Sequence, residues 1–582
     1  EWDIIKGLTF RTSGTVQYNV NKYNTYTIAW YDGAESSASV SKNESYTYMW
    51  DNTLNYVNTW KKHSLVGLVG FSIEKYESDG LKASGSGFPD DQVLTNLNSA
   101  AKKNSISSSY SSNTLASFLS RLEYKFNNRY LLTLNFRADG SSQFGPDKRW
   151  GYFPSGAVAW IITEENFMKD YSNIVSYLKL RGSVGKTGSQ NLGAYDWRTL
   201  MGSATYNGAA GIVPSSLGND ILQWEEQIQK EVGLDYGFWD DRIRGTLGYY
   251  QKKVDNLLYS DPVPTSSSFS SVYQNIGSLK NRGIEFDVRV DIIKNVQKDL
   301  TWNVDFNIAR NRTTLEKLNS SDGYFGGGAY DYFKIEEGGE TGRFYGYKDA
   351  GRLFMTNEEL VGLKTVDPKT GTLKYYRDDY NYERQGDVYI MDLDGDGQIT
   401  ADGDRTVIGN ANPDFFGGFG STLYWKGLML NAVFSYSVGG DRFWDEEKNS
   451  SGDMNVYNTS NRILDSWTVN PGVNASYPRA MYYGWGSNSI ITDRYIHDAS
   501  YLRMTALNLS YRLLKHLYKN SILNAVEFTF QATNLFTWTK YPGMDPQGNF
   551  STSYSAFYNM GIDYSTYPSA RTYNFGIKLT LK

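Results

Sequence analysis

Arg282-Gly283-Ile284-Glu285-Phe286-Asp287-Val288-Arg289-Val290-Asp291 is the stretch whose reading decides the fold. Side chains along a strand point to alternate faces. Ile284, Phe286, Val288 and Val290 therefore share one face, and Glu285, Asp287, Arg289 and Asp291 share the other. One face is wholly apolar and the other wholly charged. A water-soluble strand buries the first and exposes the second. In a membrane barrel the apolar face meets lipid and the charged face lines a wet lumen.

Composition narrows the choice. The chain has 582 residues, with 47 Tyr, 15 Trp and 28 Phe, yet its mean hydropathy is −0.52. Many aromatics with few aliphatics suit β-structure edged by interfacial girdles. A net charge of −5 removes the electrostatic case for nucleic acid as a partner. Cysteine is absent, which excludes disulfides, thiolate catalysis and zinc–thiolate sites. No apolar run approaches the ~18 residues of a spanning helix; Leu65 to Phe71 is among the longest.

Working outward, strand-like runs recur at Leu8–Val20, Glu44–Trp60, Ser64–Ser78, Thr114–Phe126, Arg129–Asp139, Tyr152–Ile162 and Ser176–Thr187. Others follow at Gln223–Trp239, Arg242–Leu257, the opening stretch, Leu300–Arg312, Phe415–Trp425, Leu428–Val438, Tyr501–Arg512, Ala525–Thr537 and Thr572–Lys582. That is about 16 strands long enough to cross a bilayer at a tilt. Lys6-Gly7, Lys61-Lys62, Asn127-Asn128, Asp240-Asp241 and Lys426-Gly427 read as tight turns. Thr163–Tyr171 reads as a short helical turn capped by Thr163. Connections alternate short and long, the longest being 313–414 and 439–500. Short turns on one side and long loops on the other mark an outer-membrane barrel, whereas a propeller or sandwich has no reason to segregate them. The predicted fold is an all-β, transmembrane antiparallel barrel. Trp160, Trp239 and Trp425 then read as a girdle on the short-turn side.

Ordered motifs carry a family resemblance. Phe136-Arg137-Ala138-Asp139-Gly140-Ser141-Ser142 with Phe153-Pro154-Ser155 is one, and Leu180-Arg181-Gly182-Ser183 with Gly185-Lys186-Thr187-Gly188 another. Gln274-Asn275-Ile276-Gly277 with Gly283-Ile284-Glu285 follows, then Asp392 to Gly397, Asp404-Arg405-Thr406, Gly409-Asn410 and Pro413-Asp414-Phe415. Together they resemble the SusC-like TonB-dependent transporters. The resemblance implies a large barrel closed by an N-terminal plug, importing nutrient polymers such as oligosaccharides or peptides across the outer membrane of Bacteroidetes. It implies a SusD-like surface lipoprotein as lid and energy delivered through the TonB complex. No plug and no TonB-box region is recognisable, and about six of the ~22 strands of a large transporter barrel are missing. The chain is thus expected to be the C-terminal barrel portion, 1–582, with a plug-bearing segment or chain elsewhere. The last strand ends Leu581-Lys582 rather than on an aromatic residue.

The sharpest chemical motif is Asp392-Leu393-Asp394-Gly395-Asp396-Gly397-Gln398. Carboxylates at alternate positions converge on a hard cation, the sixth-position glycine permits a sharp turn, and Gln398 offers a carbonyl. The twelfth position is Gly403 instead of an acid, so Asp404 must arrive through a bulge, or Asp402 replaces it. Calcium is the expected structural ion and magnesium the second choice; the plain alternative is an Asx-rich turn. Two loop clusters, Tyr482, Tyr483 and Trp485, and Tyr330 and Tyr332 with Phe333, suit stacking on sugar rings or packing on a lid; the alternative is loops packing on one another. Gly185-Lys186-Thr187 is not a phosphate loop, because Leu180 stands where that loop needs glycine. Neither a Gly-x-Ser-x-Gly elbow nor His-Glu-x-x-His occurs, so an enzyme is not expected. A passive pore and a soluble glycan-binding β-protein are the competing functions.

Overall fold

The computed structural model describes all residues except 32, 296, 319–331, 335, 357–364, 367–372, 375–384, 398, 452–458, 470, 473–474, 481–489, 514–521, 549–559, 565 and 582. It divides into two compact units. The first comprises Glu1–Asp170, Leu178–Gly233 and Gln251–Leu279; the second comprises Tyr171–Tyr177, Leu234–Tyr250 and Lys280–Lys582.

In the first unit, Leu8–Thr27, Ser37–Trp60, His63–Ser86, Lys102–Phe126, Tyr130–Ser141, Trp150–Ile161 and Val175–Ser189 follow one another, each antiparallel to the next. The predicted turns form where backbone geometry demands them. Lys426 and Gly427 in the second unit both have positive φ, the pairing that matches strand twist in two-residue hairpins; Asn127 and Asn128 share it in a loop of three residues between Phe126 and Tyr130. At Gly7, φ is +81° and a Cβ would fall 2.3 Å from the Val57 carbonyl oxygen, so only glycine fits.

Register aligns one apolar face across these strands. Phe10 opposes Leu54 and Leu54 opposes Val69, while Phe71 opposes Phe118 with ring centroids 5.0 Å apart. The band is edged by aromatics at both ends. Tyr18 stacks on Tyr46 at 4.6 Å, and Tyr46 on Tyr48 at 6.1 Å; the Lys42–Glu44 and Lys75–Glu77 ion pairs lie just beyond. At the turn end, Trp60, His63, Phe126 and Tyr130 stack in sequence. From Tyr48 to Trp60 a strand advances ~41 Å at ~3.4 Å per residue. At a tilt of ~45° that is ~29 Å of height, close to the ~30 Å hydrocarbon thickness of a bilayer.

Several strands run further than their alternation predicts, Leu8–Thr27 past Val20 and Leu300–Lys317 past Arg312 among them, and three gain serine-rich extensions. Ser37–Trp60 and His63–Ser86 have 24 residues each and Lys102–Phe126 has 25, so 37–43, 79–86 and 102–113 are strand rather than loop. These segments are rich in serine, and backbone pairing continues through them with hydroxyls bridging neighbours, as Ser84 and Ser105 do at 2.8 Å. The predicted helical turn is present as two 3-10 segments, Ile162–Glu164 and Asn166–Tyr171. Thr163 does not cap it: its hydroxyl accepts the Leu178 N–H at 3.3 Å. Glu165 pins the turn instead, accepting from Arg129, Tyr130 and Trp160 at 2.9, 2.5 and 3.2 Å.

In the second unit, Leu300–Lys317, Phe415–Trp425, Leu428–Val438, Tyr501–Arg512, Leu523–Thr539 and Thr572–Leu581 form an antiparallel ladder. The deciding stretch lies within the strand Ser278–Asn295. Ile284 is 50% exposed, so it is not sealed between two packed sheets. On the opposite face Asp287 accepts from the Thr246 hydroxyl, and Asp291 pairs with Arg244 at 3.3 Å. Further along, Thr422, Asn431 and Asn508 make a hydrogen-bonded polar row with both links 2.9 Å. On Thr572–Leu581 alternate residues Tyr573, Phe575, Ile577, Leu579 and Leu581 are all exposed, Phe575 by 81%.

The long connections of this unit fold on themselves. Arg343–Tyr347 pairs with Arg405–Asn410, Asp349–Leu353 with Val388–Ile390, and Asp441–Trp444 with both Ile496–Asp498 and Ile562–Asp563. Between them lie two apolar cores. One holds Phe333, Phe344, Phe443, Tyr495 and Ile562; the other holds Tyr347, Leu353, Phe354, Val388, Ile390 and Ile399.

Candidate functional site

The acidic loop assembles three of its predicted ligands. Asp392, Asp394 and Asp404 each bring a carboxylate oxygen within 4.8 Å of the others. Local hydrogen bonds set this geometry. Asp392 accepts the N–H groups of Gly395 and Gly397 at 2.7 and 2.8 Å, and both glycines have positive φ, which lets the chain wrap around the carboxylate. Thr400 caps a one-turn helix, Ala401–Asp404, by accepting the Gly403 N–H. That turn carries Asp404 into the cluster, where it accepts from Leu393 and Thr400, both at 2.7 Å. A Cβ at Gly403 would lie 2.2 Å from an Asp394 carboxylate oxygen, so a side chain there would push Asp394 aside. Asp404 is therefore the residue brought in, and Asp402 stays exposed outside. Asp396 lies outside the trio; its backbone N–H donates to Asp394 at 3.2 Å. Gln398 lies outside the described residues.

The Asp394 carboxyl sits above its ordinary pKa. The Asp396 N–H pulls it down, but desolvation and the charges of Asp396 and Asp404 together push harder upward. A divalent cation among these oxygens would relieve that repulsion.

Of the aromatic candidates, Tyr330, Tyr482, Tyr483 and Trp485 lie outside the described residues. Tyr332 is corrected: it is only 4% exposed, donates its hydroxyl hydrogen to Asp445 at 2.7 Å and packs on Phe443 at 4.9 Å. It holds the loop core together and presents no face to a sugar. Phe333, beside it, is likewise buried, against Phe344. Lys186, in the discarded phosphate-loop reading, pairs with Glu226 at 2.6 Å on a strand. His497 contacts Glu447 at 2.6 Å rather than the adjacent Asp498, and Glu447 is also held by Arg462 and Tyr477.

The motifs around Arg137, Phe153, Gly188 and Asn275 lie in the first unit, and the later ones, from Gly283 onward, in the second. Arg137 grips Asp139 through two contacts of 2.7 Å. Phe153 packs on Trp224 at 5.4 Å, beside Phe144, and Gly188 passes so close that a Cβ would lie 2.2 Å from the Phe153 ring. Asn275 donates to the carbonyls of Gln223 and Asn256 at 2.8 and 2.9 Å. These residues brace the loop ends of the strands.

Sequence reasoning passed over Arg442. This guanidinium lines a cavity of about 240 Å³ with Tyr501 and Gln547, and burial pulls its pKa below the usual arginine value. Nothing in its spacing sets it apart from the other arginines of the loops, since its burial comes from tertiary packing.

The model of a family described as TonB dependent receptor-like, beta-barrel, matches residues 1–480. TonB-dependent receptor P3 of Formosa agariphila is 31% identical, covering 99% of this chain and 57% of that protein. TonB-dependent receptor SusC of Bacteroides thetaiotaomicron is 32% identical, covering 80% of this chain and 44% of its own length. Among solved structures, the RagAB peptide transporter superposes with a TM-score of 0.80 at 25% identity, covering 99% of this chain and 60% of that one. The chain spans about half the length of the curated relatives it matches.

Proposed function

From the premise that this chain belongs to the TonB-dependent receptor β-barrel family and lies in the outer membrane, we propose that it works as an active nutrient importer of SusC type. The observation that carries this reading is the family match over residues 1–480. Its physical counterpart is a strand face of exposed apolar side chains backed by a face of charges and amides. In this reading the lumen passes an oligosaccharide or a peptide, a SusD-like lipoprotein lids the outer mouth, and TonB acts on a plug supplied by sequence outside this chain. The peptide cargo named for the RagAB transporter supports a polymeric nutrient.

Uptake of a labelled oligosaccharide or peptide by cells carrying the full-length protein tests this. The expected result is uptake that stops when the proton gradient is collapsed. Uptake that continues without the gradient would make the protein a passive pore.

The acidic loop is proposed to hold calcium, with magnesium the weaker ligand, through Asp392, Asp394 and Asp404. Its support is the convergence of three carboxylates and the upward push on Asp394. The ion's part is to neutralise the trio and fasten the long connection. Calcium at ~100 times its Kd should then stabilise the loop by about 2.7 kcal/mol, read as protection from proteolysis that Asp394→Asn abolishes. Equal cleavage with calcium and with chelator would refute the site.

A further inference from the structure

We infer that the cavity beside Arg442 binds a carboxylate group carried by the transported molecule, an inference that rests on the import reading. The cavity, about 240 Å³, is bounded among others by Pro413, Ser437, Gly440, Arg442, Tyr501 and Gln547. Ser437 sits across from Tyr501 in register. It alternates with the exposed Val438 and shares its face with Asn431 of the polar row. The cavity therefore opens on the polar side of the strands, at the end from which the long connections spring.

Arg442 is what calls for an anion. Its Nη1 donates to the backbone carbonyls of Asp441 and Ala411 at 3.1 and 3.5 Å. Among the described residues its Nε is buried with no hydrogen-bond partner, and no ion pair joins it to a carboxylate of theirs. Two other arginines of this unit are fully engaged. Arg312 reaches Asp414 at 2.9 Å and the Pro413 carbonyl at 2.5 Å; Arg503 reaches Asp545 and Gln547, each at 2.5 Å. The acids nearest Arg442 are turned to other donors. Asp441 accepts the Asn410 N–H at 2.8 Å. Asp563 accepts the Tyr541 hydroxyl at 2.8 Å and the Thr566 N–H at 3.2 Å.

A buried guanidinium edge left without an acceptor is costly, and the shape of that edge matches a carboxylate. Tyr501 adds a second donor: its oxygen accepts from Gln547 Nε2 at 2.6 Å, which leaves its own hydrogen to donate. The volume equals that of roughly eight waters at ~30 Å³ each, enough for a carboxylate and the carbon skeleton next to it. A peptide terminus and a uronic acid offer the same group.

Calorimetric titration of the full-length protein in detergent separates the sources. The probes are trialanine against trialanine amide, and digalacturonate against neutral galactobiose. One acid should bind at least about tenfold more tightly than its uncharged partner, the scale of a hydrogen-bonded charge; which acid does so identifies peptide or uronate. Arg442→Gln should erase that preference, and Arg442→Lys, keeping charge but not the fork, should retain part of it. The acid-against-neutral comparison needs no variant, so a misfolded variant does not spoil the test. Equal binding of acid and neutral probes, no binding of either acid, or an unchanged preference in folded Arg442→Gln overturns the inference. Gradient-driven uptake of the acid that ignores Arg442→Gln would remove this site and leave the importer standing. Binding through Arg442 with no uptake of any substrate would keep the carboxylate site and remove the importer.

Discussion

The membrane strands and the loop core of the second unit use the same apolar residues in opposite ways. Phe575 and Ile284 keep half or more of their surface exposed, whereas Phe344 and Phe443 have none. Charges divide the same way. Lys42–Glu44 and Lys75–Glu77 sit on half-open strand faces, whereas Arg479–Asp387 within the loops, and Arg503–Asp545 where a loop meets its strand, have buried carboxylates. The comparison teaches that this chain folds against two solvents. Hydrocarbon takes the place of a core for the strands, and the loops, standing in water, must build a core of their own.

The largest effect is expected where that loop core is emptied. Phe443→Ala should cost the loop region about 3–5 kcal/mol, the range for deleting a buried phenylalanine. Hydrogen exchange should show the amides of Arg343–Tyr347 and Ile496–Asp498 opening while the strand amides stay protected. Loss of protection in the strands as well would break the division into two regions. Next comes Val69, 53% exposed in the middle of the apolar band. Val69→Arg should cost about 2–4 kcal/mol in a bilayer. The measurement is reversible folding into liposomes, and an unchanged stability would mean that this face does not meet lipid.

How far these regions were legible in advance follows from the same contrast. The membrane strands announced themselves because lipid on one side and water on the other impose strict alternation, as in Ile284 to Asp291. Their tight turns were legible at Asn127-Asn128 and Lys426-Gly427 because hairpin geometry demands positive φ. The strand extensions 37–43, 79–86 and 102–113 were not, since serine on both faces leaves no alternation where water lies on both sides. In the acidic loop, spacing found Asp392 and Asp394. Asp404 needed the one-turn helix to come within reach. Tyr332 was misjudged because its burial depends on Phe443 and Asp445, more than a hundred positions away. Arg442 was passed over for the same reason.

A turn gives a smaller effect. At Gly427 φ is +86° and a Cβ would lie 2.6 Å from the Arg512 carbonyl oxygen. Gly427→Ala should therefore lose about 1–2 kcal/mol from backbone strain alone, seen as a slower return to the folded, heat-resistant band on gels. A neutral result would mean that this hairpin tolerates another turn. The smallest effect belongs to the strand-end ion pairs. Lys75→Ala should leave stability nearly unchanged, because Lys75 is half exposed and water screens the pair. A larger loss would place that end of the strand in a drier setting than the aromatic edge implies.

The chain has no cysteine, which makes one measurement particularly direct. Nitroxide labels are attached at Ile284→Cys and, separately, Glu285→Cys, and the protein is folded into liposomes. Collision rates with oxygen, which concentrates in hydrocarbon, are then compared with those of a water-soluble nickel chelate. The account predicts that the label at 284 meets oxygen and escapes nickel while the label at 285 does the reverse. Equal access of nickel to both positions would contradict it.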